Sequence, residues 1–553
     1  MQSMLHVKKL LEEAVIAMGL SLPQGVSLEP PKDSKFGDMA TNAAMVLAKQ
    51  AGKPPREIAA ELRERLLGGH PEIERIEVAG PGFLNFSFAP SFWQSILREI
   101  VEQGDRYGAL DIGRQQKVLV EYVSANPTGP LHLGHGRGAA LGDSLVRVMR
   151  FAGYDVTTEF YINDAGRQMR LLGMSIWVRY QQAFNRDVEL PEDSYRGEYI
   201  KDIAAEIVAS HGSELLQVPE AQAMDICREH GMLAILKWIK RDLKEFRVGH
   251  DIWFSERRLV DTGQVESTIK WLQDKELAYE KDGALWFSST RFGDDKDRVL
   301  RRSSGELTYF ASDIAYHADK FSRGFDLLVD IWGADHHGYI PRMKAAAQAL
   351  GKNADQLQVV LVQMVNILRG GEQVSMSKRA GTFETLADVV KEVGVDSSRF
   401  MFMTRKSDSH LDFDLELVKQ QSMDNPVYYV QYAHARIRSV FRKAREQGLA
   451  LQASGDRSKL MPLLDTPEDI QILKLMERFP DAVDASARSL SPHHISFFLR
   501  ELAALLHKYY TVHKVLGAES SQLTLARLLL LDAVAQVLRN GLQLLGVNAP
   551  EQM

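Results

Sequence analysis

A single cysteine, Cys227, stands among the 553 residues. One thiol makes no intrachain disulfide, and it excludes any zinc site that needs two or more thiolates. Long apolar runs are missing too. No uncharged stretch reaches the ~18 residues of a membrane span, and the most apolar one, Leu523 to Leu538, is broken by Arg527 and Asp532. The opening MQSMLHVKKLLEEAV lacks the uninterrupted apolar core of a signal peptide. Its Leu5, Leu10, Leu11, Val15 spacing predicts an amphipathic helix instead. These features lead us to expect a cytoplasmic protein with no membrane partner. Neither sign of charge dominates: 67 Lys and Arg against 73 Asp and Glu give −6. Nucleic acid, if bound, must be met by local basic patches. Tandem repeats and low-complexity tracts are absent. With 45% hydrophobic and 25% charged residues, the chain is neither mainly disordered, nor collagen-like, nor a disulfide scaffold. At roughly 100–200 residues per domain, about three to five domains fit the length.

The expected fold class is multidomain α/β, in three parts. Residues 1–112 read as an N-terminal α/β unit, with helices near Pro55–Leu67 and Ser91–Gln103. Between these helices lie two strand-like runs, IERIEVAG and GFLNFSFA, joined by Gly80-Pro81-Gly82. Residues 113–413 read as a Rossmann-like parallel-sheet domain. The strand Lys117–Val123, a Pro/Gly-rich loop, the helix Ala139–Phe151 and the strand Tyr154–Ile162 make a βαβ unit of the nucleotide-binding kind. A helical insertion follows at about 165–285. Strands return at 325–333 and 356–365, with a helix from Arg342 to Leu350 between them. Residues 414–553 read as an all-α helix bundle.

Three motifs carry chemistry. Pro130-Leu131-His132-Leu133-Gly134-His135-Gly136 lies between a strand and a helix. Its glycines let the backbone approach a ligand, and the helix that follows offers free N–H groups to polyphosphate. Two imidazoles can donate to phosphate oxygens when the α-phosphate becomes five-coordinate. Taken alone, H-x-G-H fits a histidine-capped helix equally well. The second motif, Ser375-Met376-Ser377-Lys378-Arg379, falls in a glycine-bounded loop at about 370–385. Such a loop can close over a triphosphate, although an isolated Ser-Lys-Arg is more often a solvated basic loop. The third, Gly333-Ala334-Asp335-His336-His337-Gly338, ends a strand, where open α/β sheets bind ligands. It also reads as a polar turn with a capping aspartate.

Together the three resemble the class I aminoacyl-tRNA synthetases: HLGH is similar to their HIGH signature, SMSKR to their KMSKS signature, and GADHHGY to the adenosine-binding segment between them. Longer blocks narrow the resemblance to arginyl-tRNA synthetases: EYVSANPTGPLHLGHGRGAALGD, YINDAGRQM, DRVLRRSSGELTYFASDIAYH, DNPVYYVQYAHARIRS and, near the N-terminus, KFGDMATNAAMVLAK and EVAGPGFLNF. The resemblance covers essentially the whole chain. It implies adenylation of L-arginine by ATP with Mg²⁺ and release of pyrophosphate. Transfer to the 2′-OH of the terminal adenosine of arginine tRNA follows. No zinc and no metal-binding protein ligand are implied, and we expect a monomer.

By resemblance, His132, His135 and Lys378 are catalytic. Pro130, Leu131, Gly134, Gly136, Arg137, Gly333, Asp335, His336, His337, Met376, Ser377 and Arg379 are implied to bind ATP. Glu121, Ser124, Asn126, Tyr309 and Asp313 are implied to line the arginine site, as a guanidinium needs carboxylates, neutral acceptors and a ring face. The sequence departs from the pattern at two points. Ser375 stands near the place of the first KMSKS lysine, and Gly129 stands where some arginyl enzymes carry a lysine. Arg137 and Arg379 are the candidates for the missing cation.

From Asn425 onward the chain carries 15 Lys and Arg against 12 Asp and Glu, so this part is at +3 and the remainder at −9. Arg436, Arg438, Tyr509 and Tyr510 are the candidate tRNA contacts, a mix of cations and rings suited to phosphates and splayed bases. One of the two tyrosines is expected to face the bundle core instead. Two other functions remain open at this point. A nucleotidylyltransferase shares the H-x-G-H loop, and a catalytically inert synthetase relative would retain tRNA binding.

Overall fold

The computed structural model describes residues 2–67, 69–373, 384–449, 451 and 457–553. The N-terminal unit packs the helices Gln2–Ala17 and Pro55–Leu67 on a four-stranded antiparallel sheet, ordered Leu28–Glu29, Met39–Thr41, Phe83–Phe88, Ile73–Ala79. Helix Pro90–Gln103 then leads toward the second domain.

Five parallel strands build that domain: β1 (Lys117–Glu121), β2 (Asp155–Ile162), β3 (Ile252–Ser255), β4 (Leu327–Gly333) and β5 (Leu357–Val362), in the spatial order β5-β4-β1-β2-β3. β1 is central, and Val118, Leu119, Val120 and Glu121 are all buried. This is the near-continuous apolar run of a strand covered on both faces. Helix α1 (Leu133–Phe151) carries the chain from β1 to β2. α2 (Gly166–Ala183), α3 (Glu198–His211) and α4 (Glu220–Glu245) follow β2. α5 (Tyr309–Ser322) precedes β4, and α6 (Ile340–Ala349) joins β4 to β5. The chain leaves β1 toward one edge of the sheet and β4 toward the other. The crevice above their carboxyl ends is the topological switch point where such sheets bind ligands.

The stretch expected as a helical insertion, about 165–285, is not helical throughout. α2–α4 match the expectation, but β3 pairs with β2 in parallel from Glu159↔Ile252 to Ile162↔Ser255, so the central sheet resumes inside it. Four residues, IWFS, are too short to signal a strand by alternation. A three-stranded antiparallel sheet, Ala278–Lys281, Ala284–Phe287 and Arg298–Arg301, then leads to α5.

The C-terminal domain is helical: α7 (Pro426–Glu446), α8 (Pro467–Glu477), the helix Phe479–Arg488, α9 (His493–Val512) and α10 (Ser521–Leu544). α10 is long and apolar enough to cross a membrane by length and composition, yet it packs as the core helix of the bundle, with Leu528 to Leu531 fully buried. The bundle also receives the N-terminal unit. Ser3 donates twice to the Glu477 carboxylate (2.8 and 2.9 Å), Gln94 to the carbonyl of Leu464 (3.1 Å), and Tyr107 to that of Met476 (2.9 Å). Lys474 pairs with Asp38. Asn540 of α10 donates to the carbonyls of Gly104 and Tyr107.

Candidate active site

After Glu121 the chain turns sharply, with Val123 at φ 72° and Ser124 at φ 40°. Two consecutive non-glycine residues in the left-handed region, one of them β-branched, mark a backbone held by its surroundings. Ser124 provides part of that hold: its hydroxyl donates to Glu121 (2.7 Å) and accepts from the Tyr161 N–H (3.1 Å). The chain then runs through Pro127–Pro130 to His132, the N-cap of α1.

The two histidines form a reciprocal cap. The His135 N–H donates to His132 Nδ1 (3.4 Å) and the His132 N–H to His135 Nδ1 (3.2 Å), and the rings stack 3.7 Å apart at 24°. Both Nδ1 atoms accept, so in each neutral ring the proton sits on Nε2. The cap therefore sets the tautomer that makes Nε2 a donor. The capping reading of H-x-G-H is the one this geometry displays, and it leaves each Nε2 as the ring's donor.

Met376, Ser377, Lys378 and Arg379 lie outside the described residues, but the chain on either side is described. Leu386 N donates to the Leu131 carbonyl (2.8 Å), and Thr385 bridges His132. On the other flank Arg369 pairs with Glu384 (2.8 Å) and Glu392 (2.9 Å). Gly136 is pressed against Leu386, whose Cδ1 would be 2.6 Å from an added Cβ.

Beside this turn a cavity of about 520 Å³ opens over the ends of β1 and β4. Glu121, Ser124, Asn126, Tyr309, Asp313, Gly333 and His336, all expected from sequence, line it. Asp335 and His337 lie exposed beside it. Tyr309 is 67% exposed at the rim. Tyr339, not anticipated, donates to Asp313. Burial pushes the Asp313 carboxyl up, and the Tyr339 hydrogen bond only partly opposes that.

A second carboxylate was missed from sequence. Glu256, just after β3, is buried, shares a hydrogen bond with Tyr161, and leaves its Oε2 without a hydrogen-bond partner among the described residues. Burial, reinforced by Asp313, pushes it up to about 7. Two neighbouring carboxyls, Asp313 and Glu256, are thus both shifted upward by burial and by like charge nearby. The signal in the sequence was the acid after IWFS, hidden because that strand was not recognised.

Glu121 is different, because it already has a cation. Lys320, fully buried, lies 2.5 Å from it and 2.7 Å from Asp330, and the Tyr316 hydroxyl stands 3.0 Å from it. For Asp330, burial opposes the charge, but Lys320 and His317 outweigh it and hold the carboxyl below its ordinary range.

Three expectations are corrected. Arg137 is not a triphosphate cation: it is 1% exposed and donates to the carbonyls of Gln363 (2.8 Å), Ser409 (2.8 Å) and Lys406 (2.9 Å). From near the start of α1 its guanidinium is spent on the backbone just beyond the end of β5 and at 406–409. Tyr509 is not a surface platform: it is 1% exposed and donates to Asp469 (2.8 Å). Arg438 is drawn inward by Asp532 (3.6 Å) and Glu551 (3.4 Å). Arg436 and Tyr510 do meet, with the guanidinium 4.1 Å from the ring centroid, and with Tyr432, Arg442 and Lys443 they line a surface groove.

Comparison with known proteins agrees with this geometry. Residues 5–88 match the family model "Arginyl tRNA synthetase N terminal domain", 96–439 match "tRNA synthetases class I (R), catalytic domain", and 430–553 match "DALR anticodon binding domain". The chain is 60% identical to the arginine–tRNA ligase of Solidesulfovibrio magneticus over 548 residues, 99% of either chain, and 60% identical to that of Oleidesulfovibrio alaskensis over the same span. The fold matches that of Thermus thermophilus arginyl-tRNA synthetase, with a TM-score of 0.74 at 24% identity over the whole of both chains. A crevice at the switch point, buried carboxylates beside it and a paired-histidine turn at a helix N-terminus thus occur in a chain that belongs to the class I arginyl-tRNA synthetases.

Proposed function

We propose a division of labour within this ATP-dependent arginine–tRNA ligase. Asp313 and Glu256 receive the guanidinium of arginine, with Tyr309 as the ring at the rim. Glu121, Ser124 and Asn126 bound the end of the pocket nearest the reacting carboxylate. The Nε2 donors of His132 and His135 meet the α-phosphate as it becomes five-coordinate, when added charge makes a fixed donor most valuable. Pro130, Leu131, Gly134 and Gly136 let the backbone come close to the nucleotide. Gly333, Asp335, His336 and His337 bound the adenosine. Lys378, with Met376, Ser377 and Arg379, meets the triphosphate. ATP enters as its Mg²⁺ complex, the ion offsetting phosphate charge. Arginine then passes to the 2′-OH of the terminal adenosine, and adenylation waits for bound tRNA. Arg436 and Tyr510 contact the anticodon arm. We further propose that the enzyme acts as a monomer and assign it to the cytoplasm.

The observation that carries this reading is the cavity that gathers Asp313, Glu121, Ser124, Asn126 and Tyr309, with Glu256 buried and its Oε2 unpartnered among the described residues, together with two histidines whose Nδ1 atoms are already engaged. Arginine-dependent pyrophosphate exchange with tRNA present tests it. His132→Ala and His135→Ala are each expected to lower kcat by about 10²–10³, with KM for arginine little changed. Unchanged kcat in both would sink the assignment.

A further inference from the structure

Ser124 ties the start of the turn to β1 and β2, and the stretch from Asn126 to Pro130 that follows is braced from the helical excursion. Residues 126–130 read Asn-Pro-Thr-Gly-Pro. Two prolines remove two backbone donors, and the turn's own backbone contributes one short bond, Thr128 N to the Asn126 carbonyl (2.8 Å). The remaining contacts come from the helical excursion α2–α4. Asn126 Nδ2 donates to Gln168 Oε1 of α2 (2.8 Å). The Tyr195 hydroxyl shares a hydrogen bond with the Thr128 side chain. The Tyr199 hydroxyl, from α3, donates to the Thr128 carbonyl (2.7 Å). Tyr199 is itself fixed, its ring edge-on to Trp238 of α4 at 6.4 Å and 87°. It also occupies the space a side chain at position 129 would need: an added Cβ on Gly129 would lie 3.0 Å from its hydroxyl and 3.2 Å from Cζ. A side chain at position 129 would press on Tyr199.

We propose that Tyr199 is a positioning residue for adenylation, through which the α2–α4 excursion sets the pose of the His132–His135 turn. The inference rests on the reading that these histidines act on the α-phosphate. Displacements of about 1 Å at such a site cost on the order of 10²-fold in rate, so a brace on the turn acts on kcat and leaves the arginine pocket alone.

The test compares Tyr199→Phe, Gly129→Ala and the double variant in pyrophosphate exchange with tRNA present. Thermal midpoints are measured alongside, and His132→Ala serves as reference. Tyr199→Phe loses one hydrogen bond, and kcat is expected to fall about five- to tenfold with KM for arginine within about twofold. Gly129→Ala is expected to lower kcat as well, by pushing the same contact apart. The double variant should be no slower than Gly129→Ala, because both changes act on one contact. Wild-type kcat in Tyr199→Phe, or losses that multiply, overturns the brace. If Tyr199→Phe fails to fold, Gly129→Ala, which leaves the excursion's core intact, decides: reduced kcat at normal KM supports the brace and wild-type kcat overturns it. Undiminished exchange in His132→Ala would remove the underlying reading of the histidines. An inactive His132→Ala beside a fully active Tyr199→Phe removes the brace alone.

Discussion

Arg137 lies two residues beyond the histidine pair, and from sequence its guanidinium qualifies for a triphosphate. Its three carbonyl partners give it a structural role instead, tying α1 to the backbone at 363 and 406–409. Arg137→Met strands those carbonyls and is expected to lower unfolding free energy by about 2–4 kcal/mol, with KM for ATP unchanged. Denaturant titration and ATP kinetics on the one variant check both halves. A severalfold rise in KM for ATP at full stability would restore the cation role. Glu256 makes the complementary prediction. Below about pH 7 it is protonated and offers arginine no charge, so kcat/KM for arginine should fall as pH drops through 7. Glu256→Gln should remove that limb at the cost of a uniformly weaker site. The stability linkage has a matching sign. The folded state holds a proton that the unfolded chain releases near pH 4.5, so in arginine-free enzyme this group's contribution to stability is lost as pH rises toward 7. Added arginine should therefore raise the melting temperature more at pH 8 than at pH 6. Equal shifts at both would mean that Glu256 does not face the ligand.

Helix α1 is the element that brings the motif to the crevice, and it lies very close to the sheet. At Gly142 an added Cβ would lie 2.3 Å from Tyr122 Cγ and 2.7 Å from its Cβ. Ala in place of Gly gains about 0.8–1.0 kcal/mol in helix propensity. Overpacking against the root of a buried ring costs about 1–3 kcal/mol, and the root cannot rotate away. Gly142→Ala is therefore expected to be destabilising by denaturant titration, and stabilisation would mean that α1 stands off β1. This close approach also explains what the sequence could and could not yield. Long periodic helices and the strands β1, β2 and β4 were legible within a residue or two. The start of α1 was read at Ala139 but lies at Leu133, because histidine is not an expected N-cap and the glycines looked like loop. β3 was invisible at four residues, and Glu256 was lost with it. Asp313 and Tyr309 were placed by motif resemblance. Tyr509 and Arg438 were misplaced because composition gives the residues of a helix but not which face the neighbouring helices cover.

On the scale of the whole molecule, the N-terminal unit and the C-terminal bundle hold each other. Ser3–Glu477, Asp38–Lys474, Gln94–Leu464 and Tyr107–Met476 join chain segments that are far apart in sequence, and one apolar cluster runs from Val7 to Val547. Shared burial of this kind couples unfolding. Calorimetry is expected to give one transition for the two units, and two transitions separated by more than about 10 °C would contradict that. The same closure fixes an order of events during synthesis. Ser3 and Glu477 are 474 residues apart, and at about 5–20 residues per second the first waits roughly half a minute to a minute and a half for the second to be made. Throughout that interval the nascent N-terminal unit carries a docking face with nothing on it. The newborn chain thus spends most of its time on the ribosome with an adhesive surface that only its last quarter can cover, and chaperone demand should be greatest when elongation stalls after the catalytic domain and before α8.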